Sequence, residues 1–182
     1  MTKALRFRSK EIMIQDLNFV LNCPNLHTGT KFAVLAETLY IWTENYNQKF
    51  VGCPMWSKKA IEHYISKRDE GKNQKDSLAG LRHDHIVPRV YFRERLLESK
   101  EPISEQLLWE LFDNFLYGAI VTKEEDTELP TKEMPPAFSY PDHPNYRDKW
   151  LRYRGTSIQM CNVDWSEKKK RKNPPFSFFN YN

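Results

Sequence analysis

The chain has 182 residues, 14% of them aromatic, a length that supports one ordinary domain with its own core and excludes two large independent ones. Lys and Arg number 28 against 24 Asp and Glu, and a net charge of only +4 excludes recognition of an anionic partner by bulk charge, so such a partner must be read from where the cations sit. Cys23, Cys53 and Cys161 are odd in number, far apart and in no CxxC pair, which excludes a disulfide framework and a cysteine-rich zinc site.

Along the chain, residues 9 to 21 space Ile12, Leu17, Val20 and Leu21 for a helix, which Asn22-Cys23-Pro24-Asn25 breaks. Phe32, Leu35, Ala36, Leu39, Tyr40 and Tyr46 then recur every three to four positions, predicting an amphipathic helix over 30 to 47 that packs on the first. Ser57 is placed to cap a third helix through Ala60, Ile61, Tyr64 and Ile65, and the polar run from Lys67 to Ser77 reads as an exposed loop. Residues 81 to 88 predict a short strand, with Pro88 or Arg89 opening a helix that carries Val90, Phe92, Leu96 and Leu97.

Ser104 caps the next helix, whose Leu107, Leu108, Leu111, Phe112 and Phe115 form a buried stripe ended at Gly118, and Ala119-Ile120-Val121 reads as a buried strand. Thr122-Lys123-Glu124-Glu125 is a capping box that starts a short helix, closed by Pro130. Five prolines between 130 and 145 predict an irregular arm over the surface. Trp150, Leu151 and Tyr153 are assigned to a further short helix ended by Gly155, and Ser157 to Cys161 to a last strand. The tryptophans at 42, 56, 109 and 150 are expected in core and helix contacts. No apolar run approaches membrane-spanning length and the N-terminus lacks the apolar stretch of a signal peptide, so a soluble, cytoplasmic protein without a membrane partner is expected.

The densest chemistry lies in His83-Asp84-His85-Ile86-Val87-Pro88-Arg89. Histidine offers a proton acceptor that titrates near neutrality, and the adjacent carboxylate offers a hard oxygen ligand. In a regular strand residues 83 and 85 point one way and 84 the other, so Asp84 and His85 would meet at one site only through a bulge or turn.

Asp84-His85-Ile86-Val87-Pro88 resembles the opening signature of the HNH, or His-Me finger, nucleases. The elements above predict an α+β fold with a mainly helical body, divided into an N-terminal helical region (1–77), a central unit (78–130), and a Pro-rich arm, short helix and basic, aromatic tail (131–182), packed as one domain. The resemblance rests on five to seven residues, covers about 78–130, and implies there a small ββα-metal-like hairpin-helix unit. It further implies His85 as the base that deprotonates the attacking water and Asp84 as a ligand of Mg²⁺ or Mn²⁺. The family completes its site with an asparagine or histidine from the following helix, often between CxxC knuckles, and this chain lacks the knuckles. Asn114 is the sole asparagine within about forty residues after the motif, and Glu125 and Asp126 are the best-placed carboxylates, with Asp126 the preferred third ligand.

Arg82, Arg89 and Arg93 lie near the motif, the last two one helical turn apart, and suit phosphate contacts. Lys168, Lys169, Lys170, Arg171 and Lys172 offer salt-sensitive attraction to nucleic acid, followed by Phe176, Phe178, Phe179 and Tyr181, which either stack on bases or pack back on the body. These readings predict a metal-dependent DNA endonuclease of phage or mobile-element type. The alternative is a non-catalytic protein on a degenerate HNH scaffold that binds DNA or inhibits a host defence nuclease, as anti-CRISPR proteins do.

Overall fold

The computed structural model describes residues 8–44, 49–130, 133–166 and 171–181; Lys168, Lys169 and Lys170, expected to contact nucleic acid, and Tyr46 lie outside them. The fold is α+β, with seven α-helices and a five-stranded sheet among the described residues. No helix among these residues is long and apolar enough to cross a membrane.

Helices α1 (Lys10–Asn22) and α2 (Thr28–Trp42) pack together, the first capped by the Ser9 hydroxyl accepting from the Ile12 amide. On α1 the buried positions are Met13, Ile14, Leu17 and Leu21, so the inward stripe is rotated by one residue from the Ile12 register and Ile12 faces outward. Strand β1 (Met55–Ser57) leads directly into α3 (Lys58–Asp69), whose N-terminus Ser57 caps by accepting from the Ala60 amide. The polar run expected to be loop contains a single turn of helix, α4 (Gln74–Ser77), because the Asn73 side chain accepts from the Asp76 amide.

Strand β2 (Leu81–His85) gives way at Pro88 to α5 (Arg89–Leu97), and α6 (Glu105–Phe115) follows, capped by Ser104. Leu108, Leu111, Phe112 and Phe115 carry the buried stripe of α6 as expected. The chain returns in β3 (Gly118–Thr122), and the Thr122/Glu125 capping box opens α7 (Lys123–Glu128). The expected helix around Trp150 is instead a series of turns, and the last expected strand shifts to β4 (Met160–Val163), with a further strand β5 (Phe176–Phe178) in the tail.

The sheet order is β2-β3-β1-β4-β5, with β1 parallel to β3 and every other pair antiparallel. Strand β2 is therefore an edge. Alternation divides the sheet into two faces. One carries Trp56, Ile120, Cys161 and Val163 against Ala60, Ile61 and Tyr64 of α3. The other carries Met55, Ala119, Val121 and Met160 against Leu129, Tyr153 and Ile158. A separate helical core unites α1, α2, α5 and α6 through Leu17, Leu39, Phe92, Leu108 and Phe112.

Of the tail aromatics, Phe179 and Tyr181 pack back on the body. Tyr181 stacks on Trp150 at 5.0 Å between ring centroids, and Phe179 meets the same indole at 5.4 Å. Phe176 and Phe178 remain exposed on the outer strand β5.

Candidate functional site

The β2–β3 ladder pairs residue for residue from Leu81↔Thr122 to His85↔Gly118, so no bulge turns Asp84 toward His85. Period-two alternation sends Asp84, opposite Ala119, to the face that holds Tyr153, and sends His83 and His85 to the other. Position along an edge strand reunites them. His85 is the last strand residue, and Asp84 and His85 are both among the residues that line a cavity of about 570 Å³. Asp126 of α7 lines the same cavity.

The imidazoles of His83 and His85 meet edge to face, with centroids 5.2 Å apart. His83 lies across the backbone of Gly118: a Cβ at that position would fall within 2.9 Å of His83 Cε1 and closer still to Nε2. Gly118 is thus a strand residue kept bare by a neighbouring ring, not the helix terminator expected from sequence; α6 ends earlier, with Leu116 as its C-cap. His85 Nε2 lies 3.4 Å from Thr43 Oγ1. Burial pushes His85 down to about 3, with the His83 ring and the Arg89 cation adding to the effect. Burial likewise holds His83 at about 4, assisted by Lys49 and Arg89. Both rings are neutral at physiological pH, and the burial that keeps them so makes them weak proton acceptors in the free protein.

Asp84 occupies a different environment. Tyr153 donates its hydroxyl to Oδ2 at 2.7 Å, and Arg152 Nη1 lies 3.4 Å from Oδ1 and 3.3 Å from Oδ2. The same Nη1 donates to the His85 carbonyl at 3.0 Å, so one guanidinium, almost wholly buried, ties the carboxylate to the backbone where β2 ends. Burial raises the Asp84 carboxyl above its ordinary value, Arg152 and Tyr153 pull it back, and the nearby Asp126 charge raises it again. Neither Arg152 nor Tyr153 was assigned to the site from sequence, since they lie 68 and 69 residues away and no spacing links them to the motif.

The other expected site residues divide. Arg89 and Arg93 of α5 are exposed and both line the cavity. Arg82 is exposed on β2 and is not among the lining residues. Asn114, expected as a possible ligand, is corrected: its side chain donates to the Glu110 carbonyl one turn back and lines a separate surface depression with Arg147 and Trp150. Glu125 is spent on structure, accepting from the Thr122 amide and from the Ser57 hydroxyl at 2.5 Å. Of the basic run, Arg171 accepts through its carbonyl from the Tyr64 hydroxyl and Lys172 pairs with Asp69 at 3.4 Å, so this described part meets α3.

Among the described residues no group of three or more His, Cys, Asp and Glu side chains converges as a metal cage. The oxygen chemistry that remains, two carboxylates on one cavity, matches an ion that keeps most of its water and takes one or two carboxylates plus phosphate oxygens. The Asp84 oxygens already meet Arg152 and Tyr153, and Asp126 adds a smaller like-charge effect.

Part of the cavity lining is apolar. Phe32, Leu35, Ala36 and Leu39 of α2 form it at helical spacing, and Phe32 is 43% exposed. Searches of family models, of curated proteins and of solved structures find no match to this chain.

Proposed function

We propose that the chain is a metal-dependent nuclease of the His-Me finger type that hydrolyses phosphodiester bonds in DNA. The observation that carries this reading is that Asp84, His85 and Asp126 open on one cavity, flanked by the cations of Arg89 and Arg93. Strands β2 and β3 pair antiparallel and α7 follows β3, but α5 and α6 lie between the two strands, so the consecutive hairpin expected from the Asp84-His85-Ile86-Val87-Pro88 signature is not formed and the reading rests on the cavity.

His85, at the cavity end of β2, takes a proton from water; burial in the free protein disfavours its charged form, and the anionic phosphate of a bound substrate offsets that effect. The oxygen so activated forms the new bond to phosphorus as the bond to the departing sugar oxygen breaks. Arg89 and Arg93 hold the flanking phosphates. Asp84 and Asp126 would hold Mg²⁺ or Mn²⁺, which supplies electrostatic stabilisation of the charge that builds on the phosphoryl oxygens. Arg152 fixes the Asp84 carboxylate and the His85 carbonyl together, and so positions acid and base relative to each other.

The test is nicking of supercoiled plasmid, with DNA and RNA oligonucleotides in parallel, in Mg²⁺ and in Mn²⁺. His85→Ala is expected to slow cleavage at least 100-fold, the scale of a lost general base, and Asp126→Asn to slow it with a changed metal dependence. Circular dichroism checks that both variants fold. Absence of cleavage on every substrate, or unchanged cleavage by His85→Ala, overturns the reading.

One observation favours a second reading. Arg152 already supplies a cation to Asp84, as expected of a nuclease scaffold that binds DNA or occludes another nuclease without catalysis. Binding of DNA or a defence nuclease that survives His85→Ala, with no cleavage by the parent protein, would select it.

A further inference from the structure

Resting on the hydrolase reading above, we infer that the substrate presents an unpaired nucleobase to this site, so that the enzyme acts on single-stranded or locally unpaired DNA. Arg89 and Arg93 give the cavity lining a cationic part, and Phe32, Leu35, Ala36 and Leu39 of the adjoining helix α2 give it an apolar part. Those two surfaces match the two halves of a nucleotide. A backbone phosphate suits the guanidinium groups, and a flat, largely apolar base suits the helix face.

A phosphodiester inside a regular duplex could use only the cationic half, because its bases are stacked and paired away from the protein. The apolar half would stay filled with water. An extruded or unpaired base fills it, and a cavity of about 570 Å³ lies within the ordinary range for a site that encloses a small organic group. Phe32 is a large ring on the cavity lining that remains 43% exposed and so has free surface on which a base can stack. Every base presents a π face, so this contact favours unpaired over paired DNA without selecting sequence.

The experiment uses the full chain and three oligonucleotides of equal length that carry 2-aminopurine at one position: single-stranded, placed in a one-base bulge, and fully paired. Binding is followed by fluorescence anisotropy without divalent metal, the state of the probe base by its emission, and cleavage separately in Mg²⁺. The single-stranded and bulged forms are expected to bind roughly tenfold more tightly than the duplex, the scale of one stacked base, with a change in 2-aminopurine emission. Phe32→Ala, and independently Ala36→Phe, which fills the cavity from the same helix, are expected to reduce that preference to below about threefold. Thermal melts confirm that each variant folds.

Equal affinity of the parent protein for all three forms, or a preference that both variants leave intact, overturns the inference. So does failure to bind any of them. If duplex DNA is cleaved in a His85-dependent manner without that preference, the hydrolase reading stands and the base-binding inference falls. If the preference and its loss in both variants are seen without cleavage, the unpaired-base site stands and the hydrolase reading falls.

Discussion

Replacing Arg152 with Met keeps most of the side-chain length and removes the guanidinium that joins Asp84 to the end of β2. Four contacts are lost: a charged hydrogen bond to the His85 carbonyl at 3.0 Å, a longer one to the Ile86 carbonyl at 3.5 Å, and two approaches to the Asp84 oxygens at 3.3 and 3.4 Å. Removing one partner of a buried ion pair costs about 3–5 kcal/mol. The lower figure applies, because the carboxylate contacts are long and Asp84 keeps the 2.7 Å bond from Tyr153.

A loss of about 3 kcal/mol lowers the melting temperature of a chain this size by roughly 6–12 °C. The cost depends on pH in a defined direction. Burial already raises the Asp84 carboxyl, and Arg152 opposes that rise, so the variant raises it further. A carboxyl whose folded-state value lies above its unfolded one favours the fold below the unfolded value and loses that contribution as pH climbs through the folded value. Chemical denaturation near pH 4.5 and near pH 8, taken as the difference from the parent so that the histidines cancel, should show the larger loss near pH 8. In an Asp84→Asn background the same replacement should cost about 1–2 kcal/mol less. A loss below about 1 kcal/mol, equal at both pH values and unaffected by Asp84→Asn, would refute the assignment of Arg152 as the clamp on Asp84.

His83 and His85 make the converse prediction: values held at about 4 and about 3 mean that their contribution is present above the ordinary histidine value and is lost as pH falls toward those figures. Denaturant midpoints should therefore drop between about pH 6.5 and pH 4, and the slope should flatten in the His83→Gln, His85→Gln double variant. Gly118→Ala should destabilise by about 1–3 kcal/mol through collision with the His83 ring, and the penalty should shrink when combined with His83→Ala; additive melting-temperature losses would count against that contact. Tyr181→Ala should cost about 1–2 kcal/mol by removing the stack on Trp150, measured by thermal melt, whereas a tail free to meet nucleic acid would show no loss.

Local chemistry made much of the helical layer legible. Ser57, Ser104 and the Thr122/Glu125 box start helices where their side chains predict, because a cap is a contact over three residues and needs no knowledge of the rest of the fold. Strands fared unevenly. Met55–Ser57 is three residues long and buried on both faces, so it has no alternation to detect, and Phe176–Phe178 is exposed along its length and resembles tail. The irregular turns from Trp150 to Gly155 defeated helical spacing because their order comes from contacts to distant partners: Tyr181 on Trp150 and Asp84 on Arg152 and Tyr153. In the site, the motif located Asp84 and His85, and the capping box located Asp126. The clamp and the apolar wall were hidden, since both are brought to the motif by tertiary packing.

Glu125 has a consequence for ligand affinity. Its carboxylate accepts from Ser57, which caps α3, and from Thr122, which opens α7, so one anion pins two helix starts to the middle of the sheet. Asp126 is the next residue and inherits that rigidity. A ligand reaching this pocket meets an acid whose backbone is already immobilised, and the entropy that ordering a loop would have subtracted from binding has been spent in folding. Preorganisation of this kind favours selectivity for a fixed spacing of charges over accommodation of many.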